Sequence, residues 1–444
     1  MLHELPLTLF STISLLVLVF VYYFLITEKL NKVLVAGLGA LMLIIAQVFR
    51  TNLHSSQENA VQFIAHNLDI LGFVVGMMIL IGIVKDSGLF EAIAIWLVKK
   101  IKGNQYLLLV VVGYLTLSMT VLFSNIPTIL IVAPIVLILV KELKLPLMPY
   151  LFVMVSMANL AGAATPISDP TTYYQAKTVG LSFGEVISNS GVIVAVLSVV
   201  VTLYSLFIFR KQLKAAHVKP SDVSLFRPEA AIRNKRVLYR GTPILIAVII
   251  LMVFKDQIRQ WTGITLDNAT LTLTGAFLCM LIFHREPKKV FRYLIDWEIL
   301  FFFMGLFVIV GSLEFTQIIE AVGRLLLNIS GGSIPVLTFL ITVGSGILST
   351  FIDNVPYNIT MVAAIQAMEK TGLAVYPLWW ALNLGTSIGG AGSPIAAACN
   401  VIAFGQAEKE GYHINFAEYL KIGIPLVLLN SCITFVLLWL KFLS

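Results

Sequence analysis

The chain carries its own middle section twice, and both copies are apolar. Asp69-Ile70-Leu71, with Gly76 and Gly82, recurs 229 positions later as Glu298-Ile299-Leu300, with Gly305 and Gly311. At the same offset Glu91-Ala92 and Gly103 return as Glu320-Ala321 and Gly332, and Ser124-Asn125-Ile126-Pro127 returns as Asp353-Asn354-Val355-Pro356. One residue of slippage then sets Thr165-Pro166-Ile167 against Ser393-Pro394-Ile395. A duplicated apolar domain whose polar interruptions fall at equivalent places is the sequence mark of a secondary transporter built from two related halves.

The solvent for such a chain is lipid. Of its 444 residues 59% are hydrophobic and 12% charged, and no soluble core hides that much apolar surface. A multi-pass protein of the cell (inner or plasma) membrane is expected. The stretch from Leu5 to Ile26 has no basic n-region and no small-residue cleavage site, so it reads as a retained span. The net charge of +7 sits mostly in loops and calls for no nucleic-acid partner. Cys279, Cys399 and Cys432 show no paired spacing, so neither a disulfide framework nor a metal site is expected. There is no phosphate-binding Gly-x-x-x-x-Gly-Lys-Ser/Thr loop and no His-Glu-x-x-His motif, which argues against an enzyme and against a cofactor.

The apolar runs predict an all-α polytopic membrane protein. Residues 1–209 form a first transmembrane repeat, 210–240 a basic cytoplasmic linker, and 241–444 a second repeat. The 36 residues of 105–140 are too many for one crossing of about 20 residues, and they break at Ser124-Asn125-Ile126-Pro127. A re-entrant hairpin fits that run and its copy at 334–369, with a pair of full crossings as the alternative. The runs 148–180 and 377–406 read as interrupted spans. Each half then has five transmembrane helices, among them the broken one, and a re-entrant hairpin. Because five is odd, the second half is inverted. With the linker inside, 23 of the 30 Lys and Arg residues fall in cytoplasmic segments and seven outside. That asymmetry supports ten crossings with both termini outside.

Backbone at lipid depth leaves the helix only where protein buries it or a wet cavity receives it. The chain does so at four places, two tips and two breaks. At each tip Ser124 or Asp353 is in position to cap the next helix, with Pro in its first turn, so that helix starts mid-membrane with its positive end inward. Asp353 and Asp169 are the expected sites of a coupling ion or proton, because an ionisable group at this depth is costly and by default functional. The alternative for both is a plain cap or turn residue. Ser124, Asn125, Thr128, Thr165, Asn354, Ser393 and Asn400 are the expected solute-binding groups, with backbone bracing as the alternative for the asparagines. Asp69, Glu298, Asp86 and Glu314 lie near span ends and read as interfacial.

Asp353-Asn354-Val355-Pro356, together with Gly389-Gly390-Ala391-Gly392-Ser393-Pro394-Ile395 and the following Ala396 to Val401, resembles the second-half signature of the arsenite-permease and sodium–proton antiporter group of the ion transporter superfamily. Gly162-Ala163-Ala164-Thr165-Pro166-Ile167-Ser168-Asp169-Pro170 is similar to that group's first-half signature, and Gln406 through Leu426 also resembles it. The resemblance implies a two-repeat transporter with tips and breaks meeting at a central site, in a group that spans arsenite and antimonite exporters, Na⁺/H⁺ antiporters and, more distantly, dicarboxylate carriers. Ser124 departs from it, standing where many relatives carry Asp.

The expected function is secondary active transport, foremost proton-coupled efflux of arsenite or antimonite, with Na⁺/H⁺ exchange as the alternative and an anion carrier third. The hydroxyl and amide groups suit a neutral hydroxylated metalloid. No Lys or Arg lies at a tip or break to hold a dianion. Cys399 in the second break suits thiophilic arsenic, although a lone buried cysteine is ordinarily a packing residue. The expected partners are the metalloid or ion substrate, H⁺ or Na⁺, the bilayer and, as an open alternative, a separate ATPase subunit.

Overall fold

The computed structural model describes residues 7–27, 30–50, 55–100, 104–215 and 228–443, and every regular element among them is helical. Seven of these helices are long and apolar enough to cross a bilayer: Leu68–Lys85, Gln105–Phe123, Asn125–Glu142, Phe183–Ile208, Lys235–Lys255, Trp297–Phe315 and Phe416–Phe442. An eighth candidate is the pair Ile318–Ser330 and Ile334–Leu348, which turns by 117° at its break. Outward-facing Leu16, Leu203, Ile250 and Leu440 stay exposed because lipid covers them. The protein is a multi-pass membrane protein.

Two of the seven, Gln105–Phe123 and Asn125–Glu142, are the arms of the first expected re-entrant hairpin and are each long enough to cross, so five of the ten expected crossings qualify by length. Two physical reasons account for most of the gap. The interrupted spans are pairs of short helices, Leu147–Ala161 with Pro170–Val179 and Tyr376–Gly389 with Ala398–Lys409. Helices Lys32–Ile45 and Asn268–Ile282 also stop early. Each closes on a left-handed residue, Gln47 at φ 58° and His284 at φ 49°. The amides that follow reach back to Leu43 and Met280, so the end carbonyls are satisfied within the turn. A helix unforeseen in the sequence, Ser56–His66, begins with a reciprocal capping box between Ser55 and Glu58. Lys235–Thr262 starts inside the stretch read as linker, capped by Asn234. Residues 216–227 of that linker lie outside the described residues.

The repeated glycines explain how the halves interlock. Helix Leu68–Lys85 packs along Asn268–Ile282, and its counterpart Trp297–Phe315 packs along Lys32–Ile45. A Cβ on Gly76 would meet the backbone of Thr272 and Leu273 at 2.7 Å, and one on Gly305 would meet that of Ala36 at 2.8 Å. Both glycines thus allow backbone-to-backbone approach, the usual device where lipid removes the hydrophobic drive for association. The helices that follow the two tips exchange partners in the same way. Asn125–Glu142 lies against Ala398–Lys409, and Asn354–Glu369 lies against Pro170–Val179.

Candidate functional site

Each tip is pinned to the break of its own half by the same bond. The Asn125 amide donates to the Ser168 carbonyl at 3.2 Å, and the Asn354 amide donates to the Ala396 carbonyl at 3.3 Å. Four helices consequently begin around one central cavity: Asn125–Glu142, Pro170–Val179, Asn354–Glu369 and Ala398–Lys409. Several of their first amides are already capped by Asn125, Asp169 and Asp353, and their dipole ends make the region electropositive. The cavity measures about 40 Å³, and its polar lining is Lys32, Asn125, Asp169, Asp353, Asn354 and Cys399. Ile126, Phe302, Phe303 and Val355 supply much of the apolar wall.

The two carboxylates are held differently. Asp169 is 5% exposed. Its Oδ1 accepts from the Thr171 amide at 2.8 Å and the Thr171 hydroxyl at 2.6 Å, and its Oδ2 accepts from the Asn125 side-chain amide. Asp353 is half-buried. Among the described residues its carboxylate accepts one hydrogen bond, from the Val355 amide at 3.1 Å. Both oxygens of Asp169 are thus engaged, whereas one oxygen of Asp353 accepts no hydrogen bond among the described residues.

Of the nine residues singled out in the sequence, the cavity brings together Asn125, Asp169, Asp353 and Asn354. The other five stand behind it. Ser124 occupies the cap position without capping, contrary to expectation. Its backbone is at φ 76°, ψ 159°, and Asn125 Oδ1 accepts from the Ile126 amide instead. Thr128, Thr165 and Ser393 donate their hydroxyls to the carbonyls of Ser124, Val121 and Thr350. Asn400 braces the second break from within, donating to Gly390 and Ser393 carbonyls at 2.7 and 2.8 Å.

Sequence reasoning missed three polar residues. Lys32, from the first turn of a distant helix, lines the cavity, so the absence of a cation at the tips and breaks does not hold for the folded site. Asn159 donates from the first half to Asn400 in the second break at 2.7 Å. Asn383 donates from the second half to the Ala163 carbonyl in the first break at 3.2 Å, and accepts from Thr172. A buried asparagine within an apolar span was the available signal for these two; nothing local in the sequence marked Lys32.

A larger cavity of about 570 Å³ lies beyond, lined by His66, Lys177, Glu314 and Gln366 among others. A column of stacked rings runs between the two spaces. Phe303, in the wall of the small cavity, stacks on Phe307 at 6.1 Å, and Phe307 stacks on Tyr174 at 6.3 Å in the wall of the large one.

A family model described as "Citrate transporter" matches residues 22–385. The chain belongs to the citrate transporter family. It is similar to the 46 kDa membrane protein of Mycobacterium leprae, 27% identical over 442 residues that cover 98% of this chain and 99% of that one. It is also similar to an uncharacterized transporter of Synechocystis, 28% identical over 453 residues, covering 97% of each. The human P protein is 24% identical over 502 residues, covering 95% of this chain and 59% of the P protein. Among solved structures, that of the YdaH transporter of Alcanivorax borkumensis superposes with a TM-score of 0.58 at 16% identity, covering 87% of each chain, which shows a shared fold. As a member of this family the chain is a membrane transporter of small solutes and not an enzyme.

Proposed function

We propose that the central cavity is the transport site of an ion-coupled secondary carrier whose solute is a small carboxylate or comparable anion. One observation carries this reading: four helix N-termini and Lys32 converge on a cavity that also holds two carboxylates. The helix ends and the lysine suit an anion. Asp353, with an oxygen left open, suits H⁺ or Na⁺ as the coupling ion, and Asp169 holds the first tip and break in register. Asn125 and Asn354 are the solute's amide contacts. Ser124, Thr128, Thr165, Ser393 and Asn400 shape the tips and breaks that present them. A space of about 40 Å³ admits an ion and a little water, so a citrate-sized solute requires the tips to part. Alternating exposure by relative movement of two inverted halves, both termini outside, meets that need.

A second reading is proton-coupled efflux of arsenite or antimonite. The Cys399 thiol in the cavity wall favours it, since trivalent arsenic is thiophilic. The two readings separate in proteoliposomes. Labelled citrate, a smaller dicarboxylate and arsenite are each offered with an imposed H⁺ or Na⁺ gradient and no ATP. Gradient-driven anion uptake is the expected result. Arsenite movement alone, lost in Cys399→Ala, would replace the first reading with the second. Na⁺-dependent proton movement with neither solute would favour an Na⁺/H⁺ antiporter, and activity only on adding an ATPase subunit would displace secondary coupling.

The topology has its own test. On a Cys432→Ser background, single cysteines at Gln57 and Gly263 are expected to react with an impermeant thiol reagent from outside, and one at Lys211 is expected to be protected. Ser56 is unsuited, being buried against the Phe49 amide. Outside labelling at Lys211 would overturn the orientation.

A further inference from the structure

Lys32 is in an unusual position for a lysine. It occupies the first turn of helix Lys32–Ile45, whose start is fixed by Asn31 accepting from the Val33 amide at 2.8 Å. A cation there faces the positive end of the helix dipole, which disfavours it. It is half-buried and lines the central cavity. Among the described residues its ammonium makes no ion pair within 4 Å. It rests instead over the Phe302 ring, 5.3 Å from the centroid. Glu298, the acid near the helix start, takes the Asn31 side chain at 3.5 Å. A lysine that only anchored the helix at the interface would reach toward headgroups and water; this one lies over Phe302 in the wall of the cavity that Asp353 also lines.

We propose that Lys32 is a tethered cation that exchanges between Asp353 and the transported anion, and that this exchange couples anion binding to cation binding. The inference rests on the transport-site reading of the cavity given above. Among the described residues, Lys32 is the cation that lines the cavity together with Asp353. Among the described residues, Lys32, Asp169 and Cys399 are the other ionisable groups lining the cavity with that carboxylate, and Tyr22 comes near it from a neighbouring helix. Asp169 already accepts from three donors, so its oxygens are less open to a new cation than that of Asp353. When an anion enters at the helix ends, Lys32 pairs with it. Asp353 then lacks its counter-ion and takes H⁺ or Na⁺. Anion and cation thus load together, each favouring the other. A neutral solute does not draw Lys32 away from the cavity it shares with Asp353 and gains no such coupling, so the same residue selects for anions.

The test separates this inference from the reading on which it rests. In detergent, with no transported solute present, the full-length protein is titrated for proton uptake and for binding of radiolabelled Na⁺. Lys32→Gln is expected to bind one of these cations at a roughly tenfold or more lower concentration, because Asp353 has lost its built-in partner. Lys32→Arg should bind like the wild type, and Lys32→Gln/Asp353→Asn should lose the gain. In proteoliposomes Lys32→Gln should raise KM for the anion, and added anion should no longer lower the cation concentration needed for half-maximal rate. Unchanged binding of both cations in Lys32→Gln would overturn the inference whatever the solute proves to be. Wild-type protein that moves no anion would defeat the transport reading separately. If Lys32→Gln does not fold, Phe302→Leu removes the resting place of Lys32 and should raise the cation concentration required; no shift there would equally overturn the proposal.

Discussion

The first and second tips begin from nearly the same four residues and end as different devices. In the first half, Asn125 reaches Asp169 and fastens the tip to its break through side chains as well as backbone. In the second, Asn354 Oδ1 is taken by the Ser349 hydroxyl at 2.5 Å, and Ala397 stands where the first half has Asp169. The carboxylate sits on the tip instead, at Asp353, with one hydrogen bond from its own helix. A duplicated scaffold has thus placed one acid where it is saturated and one where it is available. The lesson is that two carboxylates lining one cavity need not share a role; the count of donors around each separates them.

The largest effect expected from this contrast is at the open acid. Asp353→Asn should abolish gradient-driven transport while expression, membrane insertion and thermal stability stay close to wild type, as read by size exclusion and a melting curve. Wild-type transport in that variant would reduce Asp353 to a cap and erase the distinction.

Asp169→Asn sharpens the comparison from the other side. Its two oxygens accept three hydrogen bonds from groups in the site, and an amide cannot accept all of them. The expected loss is in stability, roughly 1–3 kcal/mol, with transport falling in proportion to the folded fraction. Strong loss of coupling without loss of stability would show that Asp169 is a second ion site.

The asparagine brackets come next. Asn383→Ala takes from the Ala163 carbonyl its side-chain donor in the opposite half, and Asn159→Ala leaves Asn400 Oδ1 with only the weak Cys399 thiol donor. Each should cost roughly 1 kcal/mol or more. Both should slow transport without changing which ion drives it. A change in ion preference would move that asparagine into the ion site.

The smallest effect is at the first tip. Ser124 holds a backbone conformation open mainly to glycine. Ser124→Gly should therefore be neutral or stabilise by up to about 1 kcal/mol, measured by the shift in melting temperature. Marked destabilisation would mean that the Ser124 side chain holds the tip, against its lack of a capping bond.

Much of this was legible beforehand because it is periodic or compositional. The apolar runs, the duplication, the tips at Ser124 and Asp353 and the breaks around Pro166 and Pro394 each announce themselves within a short window. The repeated glycines also carried their meaning, since Gly76 and Gly305 meet equivalent helix backbones. The early ends of helices 32–45 and 268–282 were not legible, because they close on Gln47 and His284, residue types that do not signal a left-handed turn as glycine does.

The sequence by itself determined that lipid is the solvent, that two related halves supply the walls, and that four helix starts interrupt them. Those properties follow from local hydrophobicity and from backbone polar groups that must be satisfied within the chain. Tertiary structure alone decided which polar groups share a cavity. It set Thr128, Thr165, Ser393 and Asn400 behind the wall, brought Lys32 in from a helix far from either tip, and gave Asp169 three donors and Asp353 one. The reason is that hydrogen-bond saturation and charge pairing depend on neighbours distant in the chain, and no window of sequence contains them.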